Sequence, residues 1–278
     1  MKQVKTIQEM RAARSGLSAP GFVPTMGFLH EGHLSLIRRA RAECGSVVVS
    51  IFVNPNQFGV NEDLSRYPRD AAHDLALLAG VEADVVFMPT AEEIYPQGFA
   101  TSIDVGPVAE PLEGAMRPGH FSGVATVVTK LLNIVQPERA YFGQKDAQQC
   151  AVIRRVVADL NIPVEVVIGD TVRNPDGLAL SSRNSYLTDE ERRRATALSR
   201  ALARARQMVE GGERQASVLK DAMRDILSPE EGFSVDYISV ADPVALNEVE
   251  RVGAEVLISM AVRVGTVRLI DNALIRGS

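Results

Sequence analysis

The sequence predicts an α/β protein: a doubly wound, Rossmann-like parallel-sheet domain over residues 1–170 and a smaller α+β domain over residues 171–278. Three observations carry this. Short apolar runs alternate with segments of helical spacing through the first part of the chain, the pattern of an open parallel sheet. The run from Ser46 to Val53 is almost continuously apolar, as a strand covered on both faces must be. After Asp170 the alternation stops, and two helical segments precede strand-like runs around Gly265, which suits a small antiparallel sheet packed on helices. A length of 278 residues matches about two domains of ordinary size.

In chain order, Gly21 to Val23 reads as a buried strand, and Leu34, Leu36, Ile37, Ala40 and Arg41 give the helical spacing of the segment after it. Asp70 to Leu78 forms a helix with Ala71, Leu75 and Leu78 on one face, stopped by Gly80, and Asp84 to Met88 is the next strand. Thr101 to Val105 is expected as a further strand. Ser122 suits the N-cap of a helix running through Val124, Val128, Leu131 and Val135. Arg139 to Phe142 and Val164 to Gly169 complete the strands of the first domain, with a helix from Ala147 to Leu160 between them. Thr188 and Glu191 have capping-box spacing ahead of a helix carrying Ala195, Leu198, Leu202, Ala205 and Val209. A second helix covers Ala216 to Leu227, and strands follow at Phe233 to Val240, Val256 to Val262 and Thr266 to Ile270.

Composition excludes several classes. With 46% hydrophobic and 23% charged residues the chain reads as an ordinary globular protein. A net charge of -5 argues against nucleic acid or an anionic membrane as the main partner, since both select a basic face. No apolar run reaches the roughly 18 residues of a membrane span, and the charged stretch from Met1 to Arg14 has no signal-like apolar core. Cys44 and Cys150 lie far apart, so a reducing, cytoplasmic setting is expected.

The chemistry concentrates at Pro24 to His33, where a strand passes into a helix through a turn carrying His30 and His33. A helix start presents unpaired N–H groups and favours an anion, phosphate above all. Gly27 and Gly32 permit close backbone approach. The same spacing also suits a plain helix cap. Two histidines are half a zinc set, and neither His73, His120 nor a cysteine completes it, so no metal site is expected. Gln57 stands in a polar turn after the second apolar strand, where open sheets bind ligands; a surface amide would look the same. Arg117 and His120 share a loop from which they could approach a ligand, although a solvated loop is the default for both. Lys145 stands at another strand-to-helix junction, Gly143 to Asp146, where it can meet phosphate as a point charge, although Asp146 and Gln149 also fit a helix cap. Ser181, Ser182 and Arg183 combine hydroxyls with a planar cationic fork.

Taken together and in order, Pro24-Thr25-Met26-Gly27 with His30-x-Gly32-His33, Asn54-Pro55-x-Gln57-Phe58, Tyr67-Pro68-Arg69, Gly143-x-Lys145-Asp146-x-x-Gln149 and Ser181-Ser182-Arg183-Asn184 closely resemble the pantoate-beta-alanine ligase (pantothenate synthetase) family, within the nucleotidylyltransferase superfamily. The resemblance implies a magnesium-dependent ligation. Pantoate would attack the α-phosphorus of ATP, and beta-alanine would then take the acyl group from pantoyl adenylate, giving pantothenate, AMP and pyrophosphate. By motif, Met26, Gly27, Phe28, Leu29, His30, Glu31, Gly32 and His33 would bind ATP, as would Gly143, Gln144, Lys145, Asp146, Val172, Leu180, Ser181, Ser182 and Arg183. His30, His33, Lys145 and Arg183 would be catalytic, and Gln57 and Gln149 would hold pantoate. The resemblance also implies a homodimer, a second domain acting as a lid over a cleft, and Mg2+ held mainly by ATP phosphates. His73 beside Asp74 stands where some relatives have neighbouring acids, leaving direct metal contact open. The competing reading is a nucleotidylyltransferase acting on a phosphorylated acceptor, against which the neutral Gln57 and Gln149 argue.

Overall fold

The computed structural model describes residues 1–60 and 62–276, so the last two residues of the expected second domain lie outside the described residues. The chain divides into two compact units, one of Met1–Gly143 with Val152–Asp170 and one of Gln144–Ala151 with the residues from Thr171 onward. No helix among the described residues is long and apolar enough to cross a membrane.

The first unit runs through β1 (Lys2–Val4), α1 (Ile7–Arg14), β2 (Pro20–Thr25), α2 (Glu31–Glu43), β3 (Ser46–Ile51), α3 (Ala71–Gly80), β4 (Val85–Phe87), the short helices α4 (Ala91–Ile94) and α5 (Glu113–Met116), α6 (His120–Val135), β5 (Arg139–Gly143), α7 (Ala147–Asp159) and β6 (Glu165–Gly169); the first residues of α7 belong to the other unit. The strands are ordered β1-β4-β3-β2-β5-β6 and every pair is parallel. Parallel neighbours need long crossovers, and each crossover here contains a helix. Leu34, Leu36, Ile37 and Ala40 of α2 join Val23, Val47, Val49, Leu78 and Tyr141 in one buried cluster, each large apolar side chain contributing about 1.5–3 kcal/mol.

The strand order reverses beside β2, since β3 and β4 extend the sheet on one side and β5 and β6 on the other. Ligands of such sheets bind outside the carboxyl ends of the strands at that switch point. The Pro24 to His33 stretch leaves the end of β2, and Gly143 closes the end of β5.

The second unit contains α8 (Asp189–Ala195), α9 (Ala197–Glu210), α10 (Ala216–Leu227) and the antiparallel sheet β7 (Phe233–Ala241), β8 (Glu255–Val264) and β9 (Val267–Arg276). Glu191 N donates to Thr188 Oγ1 at 3.2 Å while the Glu191 carboxylate accepts from Thr188 N at 2.9 Å, the reciprocal cap expected from the spacing. Ala195, Leu198, Leu202, Ala205 and Val209 are buried with Leu219, Met223, Met260, Val262 and Leu269 in one core.

The structure corrects four readings. Thr101 to Val105 is not a strand; Ile103 N donates to the side chain of Thr126 at 3.1 Å instead of joining a ladder. Ser122 does not cap α6, which begins at His120 after Gly119 at a φ of 82°, a left-handed conformation glycine holds without steric cost. The helix begun at Thr188 is broken at Thr196 into α8 and α9. β9 continues beyond Ile270 to Arg276, carrying two polar residues, Asp271 and Asn272, that are nonetheless buried. Apolar alternation could not announce that extension. β1, edge partner of β4, was likewise hidden by its charged neighbours.

Candidate active site

The turn after β2 is built around two histidines that each spend one nitrogen on the backbone. His30 N-caps α2, its Nδ1 accepting from Gly32 N at 3.2 Å, and its own N–H donates to Nδ1 of His33 at 3.3 Å. The rings lie 4.1 Å apart between centroids. An Nδ1 that accepts places the proton of the neutral ring on Nε2. Both imidazoles are therefore set as Nε2–H donors at the N-terminus of a helix, where anions are favoured.

Preceding them, Gly27 and Phe28 adopt φ of 81° and 50°. That left-handed pair is held from outside: Asp74 of α3 accepts from Phe28 N at 2.8 Å through Oδ2 and from Leu29 N at 2.7 Å through Oδ1. Thr25 adds a bridge, its hydroxyl donating to Ser50 O at 2.7 Å and accepting from Gly27 N at 3.2 Å. A Cβ on Gly27 would sit 2.9 Å from Asp74 Oδ2 and equally near Ile51, so this position requires glycine twice over.

Gln57 is brought to Met26 of the same stretch, its Nε2 lying 3.1 Å from Met26 Sδ, while its Oε1 accepts from Asn54 Nδ2 at 3.1 Å. Tyr95 in turn donates to Asn54 Oδ1 at 2.7 Å. Behind Gln57, Arg117 and His120 are engaged in a network that ends on the Gln57 main chain. His120 Nδ1 lies 2.8 Å from Gln57 O; a carbonyl only accepts, so Nδ1 carries the proton and Nε2 accepts from Arg117 Nη1 at 3.0 Å. Arg117 grips Glu62 with Nε and Nη2, both bonds at 2.6 Å. Burial and the adjacent Arg117 charge push the His120 imidazole down to about 4, so it is neutral at pH 7. Burial raises the Glu62 carboxyl, but the hydrogen bonds and charge of Arg117 prevail and leave it below its usual value. Gly123 completes the support: a Cβ there would meet Asn56 O at 2.2 Å, so only glycine lets α6 approach this turn.

The second unit carries the remaining candidates apart from Gly143, the last residue of β5. Gln144 to Asp146 form a 3-10 turn leading into α7, on which Gln149 is half-buried. The Lys145 side chain is mostly buried, its Nζ 3.9 Å from Asp146 Oδ1. Val172 and Leu180 are joined by a bond from Leu180 N to Val172 O at 3.0 Å, closing a hairpin that turns at Gly177. Ser181 caps the following 3-10 helix, Ser182–Tyr186, accepting from Arg183 N at 3.3 Å. One hydroxyl of the Ser-Ser pair thus shapes the backbone. Sequence reasoning missed Arg173, Asp271 and Asn272 and reads Asp74 only as an open metal contact; an acid within an apolar stretch was the available signal for Asp74 and Asp271, and Arg173 and Asn272 offered none.

Asp74 has both oxygens engaged by main-chain N–H groups, and among the described residues no group of three or more His, Cys, Asp or Glu is arranged to hold an ion.

Comparison with known proteins gives one consistent result. A profile of the family described as pantoate-beta-alanine ligase matches residues 1–274. The chain is 59% identical over 276 residues to a pantothenate synthetase of Roseiflexus castenholzii, covering 99% of each chain. It is 56% identical over 272 residues to one of Gluconobacter oxydans, covering 98% of this chain and 99% of that one. Among solved structures, a pantothenate synthetase from Thermus thermophilus superposes with a TM-score of 0.95 at 49% identity, with 98% of this chain and 99% of that chain covered. A pantoate-beta-alanine ligase from Francisella tularensis, complexed with beta-gamma ATP and beta-alanine, superposes at 0.82 with 37% identity over 99% of this chain and 97% of that one.

Proposed function

The chain belongs to the pantoate-beta-alanine ligase family, and from that membership we propose that it activates pantoate as an acyl adenylate before beta-alanine takes the acyl group. A pantoate carboxylate oxygen attacks the α-phosphorus of ATP, the bond to the bridging oxygen breaks, and pyrophosphate leaves. The beta-alanine amine then attacks the acyl carbon, the bond to the AMP oxygen breaks, and the amine gives up a proton as the amide forms. The observation that best supports this reading is the pair of Nε2–H imidazoles fixed at the start of α2 by their own Nδ1 bonds. Donors fixed in advance need no reorganisation as charge grows on the phosphoryl oxygens, and each is worth about 10²- to 10³-fold in rate.

In this reading Met26 to His33 hold the nucleotide with Gly143 to Asp146, Val172 and Leu180 to Arg183, and Lys145 and Arg183 meet the charge of the departing pyrophosphate. Gln57 and Gln149 hydrogen-bond pantoate, neutral amides suiting an acceptor rich in hydroxyls. Magnesium enters as the counter-ion of the triphosphate rather than on protein ligands. We further place the enzyme in the cytoplasm as a homodimer, the former from cysteines not joined in a disulfide, the latter from the family resemblance.

The test is product release from ATP, magnesium and pantoate with and without beta-alanine. A single burst of pyrophosphate without the amine, turning into continuous AMP release with it, is expected. Pyrophosphate release that requires a phosphorylated acceptor such as phosphopantetheine would overturn the reading.

A further inference from the structure

The turn that carries Lys145 is not held by the strand before it alone. Asn272, on β9, donates from Nδ2 to Lys145 O at 2.8 Å and to Gln144 O at 3.0 Å, and its Oδ1 accepts from Gln144 Nε2 at 3.2 Å. Both N–H donors and the oxygen of its amide are thus matched to one turn more than a hundred residues away in sequence. The asparagine is only 5% exposed, so those carbonyls have no easy substitute in water. Its neighbour Asp271 accepts from Asn272 N at 2.8 Å and takes the Arg173 guanidinium in two bonds of 2.6 and 2.8 Å. Arg173 also donates to Gly177 O at 3.1 Å, inside the hairpin between Val172 and Leu180. One dipeptide therefore ties two of the backbone turns of the second unit that carry nucleotide-binding candidates.

We propose that Asn272 is a positioning residue for adenylation, acting through Lys145 by fixing the turn from which its side chain departs. This rests on the reading above, in which Lys145 meets the triphosphate. Asparagine is required because the turn presents two acceptors and one donor; an aspartate of the same shape would set one oxygen against two carbonyls.

The experiment is single-turnover pyrophosphate release from ATP, magnesium and pantoate in the full chain, comparing wild type, Asn272→Ala, the isosteric Asn272→Asp, Lys145→Ala and the double variant Asn272→Ala with Lys145→Ala. A misplaced catalytic group costs up to about 10²-fold, so either Asn272 variant should slow adenylation about 10- to 100-fold while remaining folded by circular dichroism. In the Lys145→Ala background the Asn272 substitution should add less than about 2-fold, because groups acting as a unit are not additive. Full additivity, or wild-type adenylation in the folded single variants, overturns the proposal. So does failure of both Asn272 variants to fold, which would make the residue structural. A wild-type chain that releases no pyrophosphate with pantoate defeats the functional reading itself and this inference with it.

Discussion

Replacing Asp74 by asparagine removes charge and one acceptor while keeping shape, and the structure sets what that should cost. The carboxylate is 1% exposed and its two oxygens accept from Phe28 N and Leu29 N at 2.8 and 2.7 Å. A hydrogen bond to a charged group contributes about 1.5–3 kcal/mol. The amide retains one acceptor, now neutral, and turns an NH2 toward the other N–H. One charged bond is lost, the second is weakened, and a buried donor is left facing a donor, so about 3 kcal/mol is expected. For a folding unit of 150–250 residues that is a fall of roughly 6–12 °C in melting temperature.

The same substitution should also reach the chemistry, because Gly27 and Phe28 hold φ of 81° and 50° only under that clamp. Phe28 is not glycine, and a left-handed non-glycine residue costs about 1–3 kcal/mol and persists only where its surroundings enforce it. Once released, the turn relaxes and the N-terminus of α2 loses its set approach, which at a displacement near 1 Å is a loss of about 10²-fold in kcat/KM for ATP. Thermal unfolding followed by near-UV circular dichroism, paired with pyrophosphate release, measures both. An Asp74→Asn chain melting within about 2 °C of wild type and adenylating pantoate at the wild-type rate would refute the clamp.

Gly123→Ala should push the Asn54 to Gln57 turn away from α6, since the new Cβ would sit 2.2 Å from Asn56 O; we expect KM for pantoate to rise about 10-fold with ATP binding little changed, consistent with an overpacking cost of about 1–3 kcal/mol, checked by steady-state kinetics in each substrate. His120 is neutral when folded, with its pKa at about 4, whereas the unfolded imidazole takes a proton near 6.5. The unfolded chain therefore binds more protons between those values, and stability is lost as pH falls from 6.5 toward 4, by about 3 kcal/mol in all. Urea unfolding across that range should be flatter for His120→Gln than for wild type, and identical pH slopes would remove His120 from that role. His33→Ala and Lys145→Ala should each depress single-turnover adenylation by about 10²- to 10³-fold with unchanged far-UV circular dichroism.

Residues whose own chemistry points at a phosphate or a carboxylate are visible in a sequence, because their type and spacing are local: His30 and His33 share one helical turn, and Lys145 follows a strand end. Their supports are not local. Asp74 holds main-chain groups at positions 28 and 29, His120 a carbonyl at 57, and Asn272 the carbonyls of 144 and 145. Hydrophobic periodicity also misleads at such places, which is why α3 was expected to bury Ala71, though the structure buries Asp74 with Leu78, and why β9 was ended before its polar pair. Arg117 and His120 show the opposite error, since their loop reads as solvated or as facing a ligand, whereas their hydrogen bonds turn inward to Gln57 and to each other. A support needs only the right donor or acceptor at the right depth, a requirement asparagine, aspartate or neutral histidine can meet without resembling a catalytic group. It follows that changes at the supports should lower rate and stability together, whereas a change at Lys145 should lower rate alone; His33, whose Nδ1 also caps α2, should show a large loss of rate beside a small loss of stability.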